Sequence, residues 1–338
     1  MYNSIRYDDP NAIDAVITWV DGQDPRHKEK LNRYLTSIGQ NPPSAHSTRF
    51  NEAGEFIYCV ASILRFAPWV RKIFIVTDEQ TPAFMSLIEK SSFADRISII
   101  DHKIIFDGYE SNLPTFNSLS IESLLWRIPD LSERYIYLND DYLFIRPVKT
   151  ESFFIENKIV VRGKWETQQS ERWYNSLYHL VKKEKNRVKN RIAQALSAKI
   201  TGYSKRYFRV PHNPHPQLKS LQSDFFSENK DLLISNIKYP LRSEEQYVPT
   251  ALTNHIAFKN KRAIIDNRYK TIRLKLNKLS YRHLKIKLFF ADRDKNTAFT
   301  CLQSLDMANE KVKQETLHWL ERRIGSLESV MGDISNNY

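Results

Sequence analysis

Only two cysteines, Cys59 and Cys301, occur in 338 residues. They allow no disulfide framework and match no zinc-ligand spacing. No apolar stretch approaches the roughly 18 residues that a membrane-spanning helix requires. Residues Met1 to Asp9 lack the basic start and apolar centre of a secretory leader. The expectation is therefore cytoplasmic residence, with at most peripheral contact at the inner membrane face. No internal repeat and no low-complexity linker breaks the chain. What remains is 41% hydrophobic and 27% charged, a globular composition long enough for one large α/β domain or two smaller ones.

Acidic residues are in deficit, but only locally. The net charge is +12. Residues 181–210 hold ten Lys and Arg against Glu184 alone, and residues 257–287 hold eleven against Asp266 alone, so the rest of the chain is net negative. A basic face of this kind suits a polyanion: nucleic acid, an anionic membrane surface or an anionic polymer. A solvated helical surface accounts equally well for either stretch alone.

Strand and helix patterns alternate along the first half. Ala15–Val20 is a β-rich run ending at Asp21-Gly22. Glu55–Phe66 places Phe56, Cys59, Val60, Ile63 and Leu64 at helical spacing and closes at Ala67-Pro68. Lys72–Thr77 reads as a strand ending at Asp78, Ala83–Glu89 as a helix, and Ile97–Ile100 as a strand ending at Asp101-His102. A helix over about 117–127 precedes the apolar run Tyr135–Leu138. This order predicts a mostly parallel sheet. Four of its strands end in Asp: Asp21, Asp78, Asp101 and Asp140. They share one edge of such a sheet, where Asp is also an ordinary cap and turn residue, so two are expected to be structural only. Trp19 reads as a core aromatic and His102 as a satisfied strand-end histidine.

Asn139-Asp140-Asp141 follows the Tyr135 run directly. Such a step cannot stay in a core unpaired. Two carboxylates at the carboxyl edge of an α/β sheet can hold a hard cation such as Mg²⁺, which in turn holds a diphosphate. A polar turn before Tyr142–Ile145 is the plain alternative.

The second half reads differently. Residues 166–198 are expected to be helical, with Val188, Ile192, Leu196 and Ile200 as a packing stripe. Val210–Pro216 is a Pro- and His-rich segment, either a rigid turn or part of a site. Ile264–Asp266 and Ile286–Phe290 are expected as strands, and Asn309–Ile324 as a helix. The division expected is 12–148 as the first part of a catalytic α/β domain, 149–208 as a basic helical insertion, and 209–325 as the remainder with the C-terminal helix.

Long ordered strings then point to one family. Ile13–Pro25, with its Trp19-Val20-Asp21-Gly22 step, is similar to the first signature block of the Stealth family of sugar-1-phosphate transferases. A second block is similar through Arg49-Phe50, Glu55, Ala67–Asp78, Asp101-His102-Lys103, Leu113–Ser118, Ile121-Glu122 and Tyr137–Asp141. Pro211–Pro214 and Leu241–Glu245 resemble a third block, and Phe299–Leu302 only weakly a fourth. The resemblance implies a nucleotide-sugar-transferase-like (Rossmann-like) catalytic domain. It implies transfer of a sugar 1-phosphate from a UDP-sugar donor to a polysaccharide or glycan acceptor hydroxyl, with release of UMP. It also implies a divalent metal, Mg²⁺ before others.

Under that resemblance, Asp140 and Asp141 would hold the metal, and Arg242 would offer its donor fork to a phosphoryl oxygen. His212 would act as general base or phosphate donor. Asp21 would contact nucleotide, metal or reacting groups. Arg49, Asn117, Ser118 and Glu245 would bind substrate, Asn117 and Ser118 from a helix start that equally needs them as a cap. Arg242 could instead pair with Glu244 or Glu245, and His215 reads as a bystander. Two other classes stay open: a conventional glycosyltransferase, which would release UDP, and a non-catalytic polyanion-binding protein, whose binding would need no metal and fall steeply with salt. No nucleic-acid partner is expected.

Overall fold

A computed structural model describes residues 9, 11–39, 42, 45, 50, 51, 53–168 and 190–336. The elements of the first half are β1 (Ile13–Thr18), α1 (Pro25–Ile38), α2 (Phe56–Phe66), β2 (Ile73–Thr77), α3 (Met85–Glu89), β3 (Ile97–Asp101), α4 (His102–Ile105), α5 (Ser118–Glu122) and β4 (Arg134–Asn139). Then come β5 (Tyr142–Phe144), β6 (Phe154–Ile155), β7 (Lys158–Val161), β8 (Lys164–Thr167), α6 (Asn190–Ile200), β9 (Arg206–Arg209), β10 (His215–Leu218), α7 (Lys219–Glu228) and α8 (Lys230–Ile237). The chain closes with α9 (Pro249–Lys259), β11 (Ala263–Ile265), β12 (Lys270–Lys275), α10 (Tyr281–Arg293), β13 (Thr297–Gln303), α11 (Glu310–Ile324) and α12 (Leu327–Asn336).

The central sheet runs β10-β4-β1-β2-β3, parallel throughout except for β10, which lies antiparallel to β4. β2 is buried along its whole length and β1 over Ile13–Ile17, as both-face burial of a parallel sheet requires. The expected α/β class with a mostly parallel sheet is thus what the chain adopts. A second sheet runs β12-β13-β5, with β13 antiparallel to β5. The chain leaves the first sheet at Asn139 and enters the second at Tyr142. Asp140-Asp141 is therefore the turn that links the two sheets, and Leu302 N–H holds it by donating to the Asp141 carbonyl at 3.0 Å. The pair is thus a turn, and it stands at the carboxyl edge of the sheet.

Several expectations fail on tertiary packing. Ile286–Phe290 is not a strand but part of α10. Ser280 caps this helix by accepting the His283 N–H, and Leu284, Leu288 and Ala291 form its buried stripe. Segment 149–208 is helical only in part: β6, β7 and β8 lie within it, and Lys164–Thr167 pairs with β9. Residues 169–189, which carry most of the expected helix and the first nine residues of one basic stretch, lie outside the described residues. In α6 the inward face is Ala193, Gln194, Ala195, Ser197 and Ala198, while Ile192 is 43% exposed. Leu196 and Ile200 of the expected stripe do pack against the core, beside this face of small side chains, and Val188 lies outside the described residues. The helix expected over 117–127 is two pieces, α5 and a 3₁₀ turn over Leu125–Arg127. Among the described residues no helix is long and apolar enough to cross a membrane.

Candidate active site

The carboxyl ends of β1, β2 and β4 surround two adjoining cavities. The four strand-end aspartates divide there. Asp21 accepts the N–H of Gln23 at 2.8 Å, and Gln80 clamps the Asp21 backbone from both sides at 2.9 Å. Gly22 must be glycine, because a Cβ would stand 2.6 Å from the Phe50 carbonyl oxygen. Asp101 caps α4 and accepts the N–H of Glu79. Asp78 and Asp140 line the second cavity, Asp78 also pairing with Lys30 at 2.9 Å.

The first cavity, about 200 Å³, gathers Glu122, Asp141, Tyr142, His212, His215 and Arg242. Each comes from a different part of the chain. Asp141 is half-buried, and its Oδ1 is enclosed without a hydrogen-bond partner. Burial pushes its carboxyl up to about 7 against the Cys301 thiol, which donates to Oδ2 at 3.5 Å; the nearby Glu55 charge adds to the rise. Glu122 is 7% exposed. Burial carries it to about 7 as well, opposed by the Arg242 charge and by the Tyr137 and Ser118 hydroxyls. His212 is pulled down to about 4 by burial first, then by Arg273, Arg242, Arg209 and Lys275. It is therefore neutral at pH 7, with Nδ1 bonded to the Tyr142 hydroxyl at 3.0 Å. Buried acids held near neutrality beside a neutral imidazole and a fixed cation are the arrangement that proton-transfer sites require.

The second cavity, about 150 Å³, shares Asn139 and Arg242 with the first. Among the residues that line it, Trp19 Nε1, both His27 ring nitrogens, His102 Nδ1 and Thr115 Oγ1 are buried and without a partner. Burial holds His27 below its ordinary value and His102 at about 4, so both rings are neutral. Unmet donors and acceptors gathered in the residues around one cavity suit a polar ligand, since each would otherwise cost the fold. Trp19 stacks on Phe56 at 5.2 Å, so it is a core aromatic that also borders the cavity.

Arg242 stands where the cavities meet. Its Nη2 donates to Ser118 Oγ at 2.6 Å. Asn117 explains how it is held there: Oδ1 caps the Leu119 N–H, and Nδ2 donates to the Tyr239 carbonyl and to Gln246 Oε1, both at 2.9 Å. Asn117 is thus fully used in fastening residues 239–246 to α5, and its reading as a substrate contact gives way to the cap. Glu245 lines neither cavity and accepts from the exposed Tyr239 hydroxyl. Asp21 also lines neither. Arg49 lies outside the described residues. Asp140 and Asp141 do not share a cavity: Asp140 faces the second and Asp141 the first. Glu122, Tyr142, His27 and Thr115 carried no site role in the sequence reading, although Glu122 and Thr115 lie within the motif strings of the second block. Glu122 offered one signal, a carboxylate inside a short helix of otherwise buried residues.

No group of three His, Cys, Asp or Glu side chains among the described residues is arranged to hold a metal unaided. The unpartnered Asp141 oxygen beside Asp140 fits a different case, a hard cation that takes one or two carboxylates and completes its shell with phosphate and water.

Comparison with known proteins adds an independent line. Residues 11–39 match the model of Stealth protein conserved region 1, and residues 49–162 match conserved region 2. Both cavities draw on region 2; His212, Arg242 and Glu245 lie beyond it. A capsular polysaccharide phosphotransferase of Actinobacillus suis is 41% identical over 159 residues, 46% of this chain and 40% of that protein. The exopolysaccharide phosphotransferase SCO2592 of Streptomyces coelicolor is 42% identical over 147 residues, 43% of this chain and 15% of that protein. The match thus spans well under half of either relative. Among solved structures, the apo form of the glycosyltransferase GlyE of Streptococcus pneumoniae TIGR4 aligns with a TM-score of 0.43 at 11% identity, over 96% of this chain and 64% of that one.

Proposed function

We propose that this chain, which belongs to the Stealth family through conserved regions 1 and 2, transfers a sugar 1-phosphate from a UDP-sugar to a hydroxyl of a capsular or cell-surface polysaccharide. The acceptor oxygen bonds to the phosphorus that bears the sugar. The bond from that phosphorus to the bridging oxygen breaks, and UMP leaves. The product is a phosphodiester. The observation that carries this reading is the position of Arg242, a fixed guanidinium at the junction of a cavity rich in unmet polar groups and a cavity holding Glu122, Asp141 and His212. Phosphoryl transfer asks mainly for positioning and charge stabilisation, and Arg242 suits the second task.

In this reading the second cavity takes the nucleotide end of the donor and the first takes the acceptor hydroxyl. His212 receives the acceptor proton. In the tautomer whose Nδ1 proton is directed to the Tyr142 oxygen, Nε2 is the free base. Its depressed pKa suits that role once the donor is bound. Arg242, Arg273, Arg209 and Lys275 help hold it down, and an arriving diphosphate neutralises such cations, so His212 becomes more basic when its substrate is present. A divalent cation, Mg²⁺ before others, would lie on Asp141, whose Oδ1 has no partner, or on Asp140 in the adjoining cavity, and neutralise diphosphate oxygens when bound. Incubation with a panel of UDP-sugars, with and without glycan acceptor, tests the proposal through the nucleotide formed. UMP is expected; UDP would make the chain a conventional glycosyltransferase and refute phosphoryl transfer.

A further inference from the structure

We infer that α10 is a docking surface for an anionic lipid bilayer. The helix buries one stripe, Leu284, Leu288 and Ala291, against the body of the protein. The opposite side is apolar where solvent would ordinarily favour polar groups: Ile286 is 53% exposed, Phe289 48% and Phe290 63%. The two phenylalanine rings stand perpendicular at 5.6 Å, and the Arg293 guanidinium lies over Phe289, 3.4 Å from the ring centre. Arg282, Lys285, Lys287 and Arg293 lie on the same helix as these rings, all exposed. The single acid of the helix, Asp292, is engaged by the Trp319 indole N–H at 3.0 Å. Lys275 and Lys278, also exposed, extend the positive charge on the chain leading into the helix.

The chemistry selects the partner. Large exposed apolar side chains interspersed with cations along one helix need a surface that is anionic outside and apolar just beneath, which describes the headgroup boundary of an anionic leaflet. A hydrated polyanionic glycan would answer the lysines and leave both phenylalanines in water. Arg and Lys stems can lie along the apolar side chains while their heads reach lipid phosphates. The inference does not depend on the chemistry proposed for the two cavities.

Flotation of the 338-residue chain with vesicles tests it. Binding is expected to vesicles containing phosphatidylglycerol and not to those of phosphatidylcholine alone, and to weaken as salt is raised. Phe289→Ser with Phe290→Ser should lower vesicle affinity at least about tenfold without changing the melting temperature, since both side chains are exposed. Phe290→Trp should retain binding, and Lys285→Glu with Lys287→Glu should lose it. Absence of vesicle binding by the parent chain would overturn the inference. So would binding that survives loss of both phenylalanines, which would reduce the helix to a general polyanion contact. A concentration-dependent dimer abolished by the phenylalanine changes, without vesicle binding, would assign the face to a second copy and equally overturn it.

Discussion

Glu122→Gln isolates what burial does to the site, because it removes a charge while keeping shape. In the folded chain the Glu122 carboxyl is held up at about 7, against an ordinary value of 4.5, chiefly by burial. Below the ordinary value both folded and unfolded chains carry the proton, and Glu122 contributes nothing. Between there and about 7 the folded chain keeps a proton that the unfolded chain has released, so folding loses stability as pH rises. Above that window the penalty is complete and amounts to at most about 3 kcal/mol. Glutamine escapes it. Urea unfolding at about pH 8 should therefore find Glu122→Gln more stable than the parent, by up to that amount, and at about pH 5 the two should nearly coincide. The same substitution should lower transferase turnover, since the ionised carboxylate beside Arg242 is lost; stability and activity would move in opposite directions. A variant destabilised equally at both pH values would show that Arg242 holds Glu122 as an ion in the folded chain, and the reasoning from burial would fail.

Three further outcomes follow from the cavities. Asp141→Asn, and separately exhaustive chelation with EDTA, should remove most transfer of sugar 1-phosphate, with Mg²⁺ restoring the chelated chain; full turnover after chelation would take the metal out of the proposal. His212→Ala should lower turnover at least about a hundredfold, the scale of a lost acid–base group, and an unaffected rate would move the base to Asp141 or Glu122. Thr115→Val removes a buried hydroxyl that has no partner; the unliganded chain should gain about 1 kcal/mol, while the KM for UDP-sugar should rise, and an unchanged KM would place the donor elsewhere.

Much of the frame is local information. β-branched and aromatic runs followed by Asp announce β1 to β4; in β1, β2 and β4 this is because a strand buried on both faces needs an unbroken apolar run and a polar exit. Asp140-Asp141 is legible for the same reason, as is Asn309 opening α11, where it caps the Val312 N–H at 2.9 Å. The ordered motif blocks carried the family. Local pattern failed where two structures share one composition: Ile286–Phe290 has the residues of a strand, and only packing of Leu284, Leu288 and Ala291 on the body makes it a helix. The site itself was decided in three dimensions. Glu122, Asp141, His212 and Arg242 meet only after β4 turns between sheets and residues 239–246 are tied to α5 by Asn117. Their protonation is likewise a tertiary property. A carboxyl near 7 or an imidazole near 4 reflects water excluded and charges gathered by distant segments, and no neighbour in sequence supplies either.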